Sequence, residues 1–334
     1  MTFPRSAQIS LVDTPYYHCI ARCVRRAFLC GEDRYTGRSF SHRRQWLVDR
    51  IALQVEVFGI GVCAYAVMGN HYHVVLRVDK PPVMALSDVE VLKRWTRLFR
   101  GPHLVRQYLE GLSLCSVEMQ TVRETAAVWR RRLYDISWFM RCLNEYIARR
   151  ANAEDKCTGR FWEGRFKSRA LLDHAAVISC MAYVDLNPVR AGMARSLSES
   201  DFTSIQQRLG ELGTNSKKNG PLQSKPFLLS FRKDGLSSQD KTTIHLDFQG
   251  YVGLLESTAN LSFGNRIHHI FHQHEDTLHR IGLSFSQWRV LSLETHSLSV
   301  QAIGDLQTLR SFCRSTGRKW MAGTRHLKVI YGGG

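Results

Sequence analysis

Apolar residues alternate with polar ones from Tyr16 to Arg22, which predicts a first β-strand. From Ser41 to Phe58 the period changes: Trp46, Leu47, Ile51, Val55 and Phe58 recur at helical spacing. Two apolar runs rich in β-branched and aromatic residues then meet at Gly69-Asn70, a hairpin signal, and predict two antiparallel strands across Ala66 to Val78. A helical face of Val91, Leu92, Trp95, Leu98 and Phe99 falls in a long connection read as an insertion at about 80–133. Ser137 to Ala151 carries a strong amphipathic pattern, and Phe166 to Leu172 reads as a fourth strand. Asp173 suits an N-cap, and the helix it opens runs until Pro188 stops it.

The resulting order is strand, helix, strand, strand, helix, strand, the α+β ferredoxin-like βαββαβ arrangement with a central antiparallel sheet. Its first and third strands are central, so His71 and His73 sit mid-sheet on a rigid platform. Beyond Gly192 the serine-rich tract 196–204 and the polar run 213–221 read as linker, giving a first domain over 1–200, a linker over 201–224 and a mainly helical accessory region over 225–334. In that region Ile244 to Glu256 and Ala302 to Cys313 are the clearest helical stretches. The histidines His268, His269, His272, His274 and His279 lack a paired ligand motif and read as surface residues.

Composition narrows the function. The net charge of +17 and pI near 9.8 fit a polyanionic partner better than a small neutral substrate. The charge is spread, +11 over residues 1–200 and +6 beyond. Nine cysteines, odd in number and without a C-x-x-C pair, argue for reduced thiols, not a disulfide framework or zinc ribbon. No apolar signal core or membrane-length run is present, so a cytoplasmic, nucleoid-associated protein is expected. A nucleotide-binding P-loop is also missing, which predicts chemistry without ATP.

His71 and His73 stand at i and i+2 of a strand and so share a face, about 7 Å apart along the chain. That is close enough to chelate one divalent ion, provided a third ligand comes from elsewhere; the same pair could equally be two hydrogen-bonded surface histidines. Tyr183 and Asn187, four apart on the later helix, also share a face.

Four segments together resemble the single-tyrosine HUH transposases, and within them the REP-associated tyrosine transposases: Thr14 to His18, Tyr65 to Val75, Gly159 to Ser168 and Tyr183 to Gly192. The resemblance covers roughly residues 8 to 200. It implies that His71 and His73 are metal ligands, that Tyr183 is the nucleophile of the Tyr-x-x-x-Asn-Pro-Val segment, and that Asn187 stands at the third-ligand position. It further implies a single-stranded DNA substrate with an imperfect palindrome folded as a hairpin. The expected ion is Mg²⁺ or Mn²⁺, the imidazoles favouring Mn²⁺ over Ca²⁺.

Candidate DNA contacts are Arg22, Arg25, Arg26, Arg160, Trp162, Arg165, Lys167 and Arg190, since cations interleaved with aromatics neutralise phosphates and stack on unpaired bases. Trp162 could instead belong to the core. Tyr146 is the rival nucleophile. A nicking and joining transposase is the leading expectation, with a non-catalytic hairpin-binding regulator and an HUH replication initiator or relaxase as alternatives. A homodimer is compatible with each.

Overall fold

The computed structural model describes residues 8–24, 29–32, 37–213, 227–232, 243–262, 272–294, 300–318, 321 and 324–331. Two compact units divide the chain, one of Met1–Arg44, Val62–Leu76 and Trp162–Gly334, the other of Gln45–Gly61 and Arg77–Phe161. Residues on both sides of the expected linker therefore fall in the first unit.

The core elements follow the expected order: β1 (Tyr16–Arg22), α1 (Arg43–Val57), β2 (Ile60–Val67), β3 (His71–Val78), then the helices α2 (Lys80–Met84), α3 (Asp88–Thr96), α4 (His103–Leu109) and α5 (Ser116–Arg132) of the insertion, α6 (Ile136–Glu154), β4 (Lys167–Leu171), α7 (His174–Asp185) and α8 (Asn187–Arg190). The sheet order is β2-β3-β1-β4-β5, so the ferredoxin-like strand order holds over its first four strands.

The fifth strand, β5 (Ala302–Ile303), departs from the sequence pattern, which predicts helix from Ala302. It lies parallel to β4, with Ala170 opposite Ala302 and Leu171 opposite Ile303. Ala170 N donates to Gln301 O and Leu172 N to Ile303 O, which covers the β4 edge. The expected linker also differs, since residues 204–213 form α9 (Ser204–Gly213). Around its start the chain lies along β2: Val67 N donates to Phe202 O, Tyr65 N to Ser204 Oγ, and Arg208 Nη2 to Cys63 O.

Further on come α10 (Phe248–Ser262), α11 (Glu275–Ile281), α12 (Phe285–Leu293), α13 (Leu306–Ser315) and α14 (Thr324–Tyr331). The expected helical stretch from Ile244 thus begins four residues later, at Phe248. Residues 214–224 of the expected linker, with His268 and His269, lie outside the described residues.

Helix α7 is buried from Ala175 to Asp185. A helix apolar on every side must have neighbours on every side, and α7 packs against β4, α12 and α11. Asp173 caps it: one carboxylate oxygen accepts from Ala176 N at 2.7 Å and the other from Asp305 N at 2.8 Å, which ties the helix start to the segment after β5.

In the second unit Phe58 packs on Phe139 and Trp95, and Trp95 stacks with Trp129 and Phe99. Gln54 Nε2 donates to Phe139 O at 2.8 Å, and a Ser87–Glu90 capping box starts α3. Among the described residues no helix is long and apolar enough to cross a membrane.

Candidate functional site

Alternation along the strands sorts their side chains onto two faces. On β1, Tyr17, Cys19 and Ala21 are buried in the core, which leaves His18, Ile20 and Arg22 on the other face. These three, together with His71 and His73 from β3, Lys167 and Arg169 from β4, Glu163, Gly164 and Arg165 from the preceding loop and Tyr183 from α7, line a pocket of about 380 Å³. His18 stands opposite Arg169, and Ile20 opposite Lys167, in the antiparallel β1–β4 register.

The Tyr183 ring lies 5.7 Å from that of His73 and 6.0 Å from that of His18, edge-on to both. The His71 and His73 rings are 4.9 Å apart. Asn187 Nδ2 is 3.1 Å from His73 Nε2, and His73 Nδ1 is 2.9 Å from His18 Nε2. His71 Nδ1 lies 2.6 Å from Asn70 Oδ1, an acceptor, so the His71 proton sits on Nδ1 and its Nε2 keeps a lone pair.

Burial sets the protonation states. It holds His73 well below the usual imidazole range and lowers His71 to about 4, with Arg22 adding to the effect on both. Burial also raises the Tyr183 phenol, while Arg190, its guanidinium 5.0 Å from the ring centre, lowers it by charge and by a hydrogen bond. At neutral pH the site therefore holds neutral imidazoles, a protonated phenol and the cations Arg22, Arg165, Lys167 and Arg169.

No family model and no curated protein matches this chain. Among solved structures it is similar to a REP-associated tyrosine transposase bound to a REP hairpin. That likeness has a TM-score of 0.38 and 13% identity, and covers 69% of this chain and 100% of the other.

His71 with its bare Nε2, the neutral imidazole of His73 and the Asn187 amide, whose Oδ1 is an oxygen donor, make a nitrogen and oxygen set of the kind Mn²⁺ or Mg²⁺ accepts. Among the described residues no group of three or more His, Cys, Asp or Glu side chains could hold a metal ion, so such a site would depend on the Asn187 amide.

The structure thus brings His71, His73, Asn187 and Tyr183 together, with Arg22, Arg165, Lys167 and Arg190 beside them. Of the two readings of Trp162, base contact and core, the structure supports the core. Trp162 is 8% exposed, packs edge-on against Tyr72, and bridges Cys23, so the core reading holds and base stacking does not fit. Arg160 is exposed but belongs to the other unit. Tyr146 also belongs there, where its hydroxyl accepts from Arg150 Nη1. Arg25 and Arg26 lie outside the described residues.

Among the histidines and cations of the pocket, His18 and Arg169 are not candidates of the sequence reading. The signal was the strand alternation itself: His18 is two residues from Tyr16 and four from Arg22, and Arg169 is two from Lys167. Arg169 is held by its Nε donating to Val300 O at 3.0 Å, just before β5.

Proposed function

We propose that this protein nicks and rejoins single-stranded DNA at hairpin-forming palindromes through a 5′-phosphotyrosine on Tyr183. The observation that carries this reading is the placement of Tyr183 in a cation-lined pocket, its ring 5.7 Å from that of His73.

The chemistry follows from what each side chain supplies. Arg22, Arg165, Lys167 and Arg169 give a phosphate a positive, partly enclosed seat. Tyr183 Oη forms a bond to phosphorus as the bond to the 3′ oxygen breaks; the phenol proton is lost and the leaving oxygen gains one. Arg190 favours that loss by lowering the phenol's pKa. A divalent ion, Mg²⁺ or Mn²⁺, held by His71, His73 and Asn187, would supply Lewis-acid polarisation of a non-bridging oxygen. Because the tyrosyl ester keeps the phosphodiester activated, the 3′ hydroxyl of another strand can displace Tyr183 and reseal DNA without ATP. Such work belongs with the nucleoid in the cytoplasm.

The test is to incubate the protein with end-labelled hairpin-bearing single strands and Mn²⁺, then look for a covalent adduct under denaturing conditions. An adduct is expected with the unaltered protein and with Tyr146→Phe. It should vanish with Tyr183→Phe, His71→Ala, His73→Ala or excess EDTA while hairpin binding persists. An adduct formed by Tyr183→Phe rejects the nucleophile; cleavage unaltered in EDTA rejects the metal. One observation favours a second reading, a non-catalytic hairpin-binding regulator: among the described residues no three His, Cys, Asp or Glu side chains are grouped to hold a metal ion. That reading expects tight binding and no adduct in any divalent ion.

A further inference from the structure

His18 is 1% exposed and lies at the end of a line of three side chains, Asn187, His73 and His18, joined by contacts of 3.1 and 2.9 Å. We propose that His18 is a positioning residue that holds His73 in the tautomer whose Nε2 lone pair is turned to Asn187 and offered to a metal ion. The inference rests on the metal-assisted reading above.

Proton accounting along the line leads there. Each neutral imidazole has one N–H donor and one bare acceptor nitrogen. His18 is almost wholly enclosed and stands opposite the cationic Arg169 in the β1–β4 register, a setting that keeps an imidazole uncharged. The two contacts can then be made in two ways only. In the first, Asn187 Nδ2 donates to His73 Nε2, His73 Nδ1 donates to His18 Nε2, and the His18 proton sits on Nδ1. In the second, Asn187 turns its amide so that Oδ1 accepts from His73 Nε2, and His18 Nε2 donates to His73 Nδ1. Only the first leaves His73 Nε2 able to bind a cation, and it is the one the Asn187 orientation matches. It requires an acceptor at His18 Nε2.

His18 is not itself placed as a ligand. Its Nε2 is committed to His73, and its Nδ1 is buried without a hydrogen-bond partner. Imidazole ligands are commonly oriented by an acceptor on their other nitrogen, and here that acceptor is a second imidazole. Replacing it with hydrocarbon would strand the His73 Nδ1–H and drive the proton to Nε2, where Asn187 Oδ1 can receive it.

The experiment uses the full chain, metal-free and labelled with ¹⁵N-histidine, as the unaltered protein, His18→Leu and His18→Gln. Glutamine can place an acceptor oxygen near the original Nε2. Long-range ¹H–¹⁵N spectra should show His73 bare at Nε2 in the unaltered and glutamine proteins, and protonated at Nε2 in the leucine variant. Mn²⁺ titration should show about 10- to 100-fold weaker binding for His18→Leu, largely restored in His18→Gln, with circular dichroism unchanged. A protonated His73 Nε2 in the unaltered protein overturns the proposal, and that spectrum decides even if the leucine variant fails to fold. So does a folded leucine variant with the original tautomer and Mn²⁺ affinity. If the tautomer responds to His18 as expected but the unaltered protein does not bind Mn²⁺, the positioning role stands and the metal-assisted reading falls.

Discussion

The Tyr251 hydroxyl donates to Asp185 Oδ2 at 2.7 Å, and Asp185 is two residues beyond Tyr183 on α7. Residues two apart on a helix face different ways, so the helix carries the candidate nucleophile toward the pocket and a pinned carboxylate away from it. The other Asp185 oxygen accepts from Ser204 Oγ and, at 3.0 Å, from Ile205 N, at the start of α9. Burial raises the Asp185 pKa, with the Arg208 charge and these hydrogen bonds opposing it. Removing one charge-assisted bond costs roughly 1.5–3 kcal/mol, and removing the carboxylate from its buried partners about 3–5 kcal/mol. Urea unfolding should therefore rank Asp185→Ala well below Tyr251→Phe, and Tyr251→Phe below the unaltered protein. Equal stability of all three would show that the network contributes nothing.

The same contacts bear on truncation. A detachable module after residue 224 would leave a folded catalytic core, but α12 covers α7, and β5 pairs with β4. Ending the chain at Gly213 would expose the apolar flank of α7 and free the β4 edge, both aggregation hazards. The truncated protein is expected to be insoluble or to unfold without a cooperative transition. A soluble fragment with a sharp melting transition would restore the modular view.

Much of this arrangement was legible because long periodic stretches constrain their own conformation. Tyr16 to Arg22 alternates over seven residues, and the Gly69-Asn70 hairpin fixes its flanking strands. Ala302–Ile303 could not be read the same way, since two residues carry no period and their strand conformation comes from pairing with β4. Trp162 sits among exposed cations and buried aromatics, Arg160 and Arg165 beside Phe161 and Phe166, so its neighbours in sequence leave both readings open and its packing against Tyr72 decides between them. Asp185 carries no local signal of its role in the sequence. Its partners Ser204 and Tyr251 are 19 and 66 residues away.

Arg190 should set the pH dependence of attack by Tyr183. Burial raises the phenol and Arg190 lowers it, so the phenolate remains a minor species near neutrality. Adduct formation under single-turnover conditions should rise about tenfold per pH unit between about pH 7 and 9, below the phenol's pKa. Arg190→Ala raises that pKa further and should slow the reaction throughout the window; Arg190→Lys should recover part of the loss. A rate indifferent to Arg190 would assign it elsewhere.

Acid should destabilise the fold through its buried neutral histidines. His18 titrates at about 3 in the fold, and burial followed by the charge of His245 lowers His174 as well. Unfolded histidine titrates near 6.5, so below that pH the unfolded chain binds protons that the fold refuses. This contribution is fully present above about pH 6.5 and is lost as pH falls toward the folded values, by about 1.4 kcal/mol per unit for His18. Unfolding free energies measured across this range should decline with acid, and His174→Gln should make the decline shallower. A decline unchanged by that substitution would remove His174 from the account.

The pocket cations offer the most direct measure of how the protein would grip DNA. Arg165 and Lys167 are exposed and line the pocket, whereas Trp162, between the same loop and the core, is buried against Tyr72. A cation that neutralises one phosphate releases counterions, so losing it should reduce the slope of log K against log salt by ~0.7 on single strands or ~0.9 on a duplex stem. Arg165→Ala and Lys167→Ala are each expected to weaken hairpin binding and make the slope shallower by that amount, and the double variant by about twice as much, since the two act on separate phosphates. Trp162→Ala should behave differently. Truncating a buried tryptophan costs about 3–5 kcal/mol of stability, so its melting temperature should fall while the salt slope of the folded fraction stays the same. If instead the tryptophan variant melts normally and loses affinity, Trp162 reaches the DNA after all. If neither cation changes the slope, the pocket does not hold the phosphates and the seat of the DNA lies elsewhere on this basic chain.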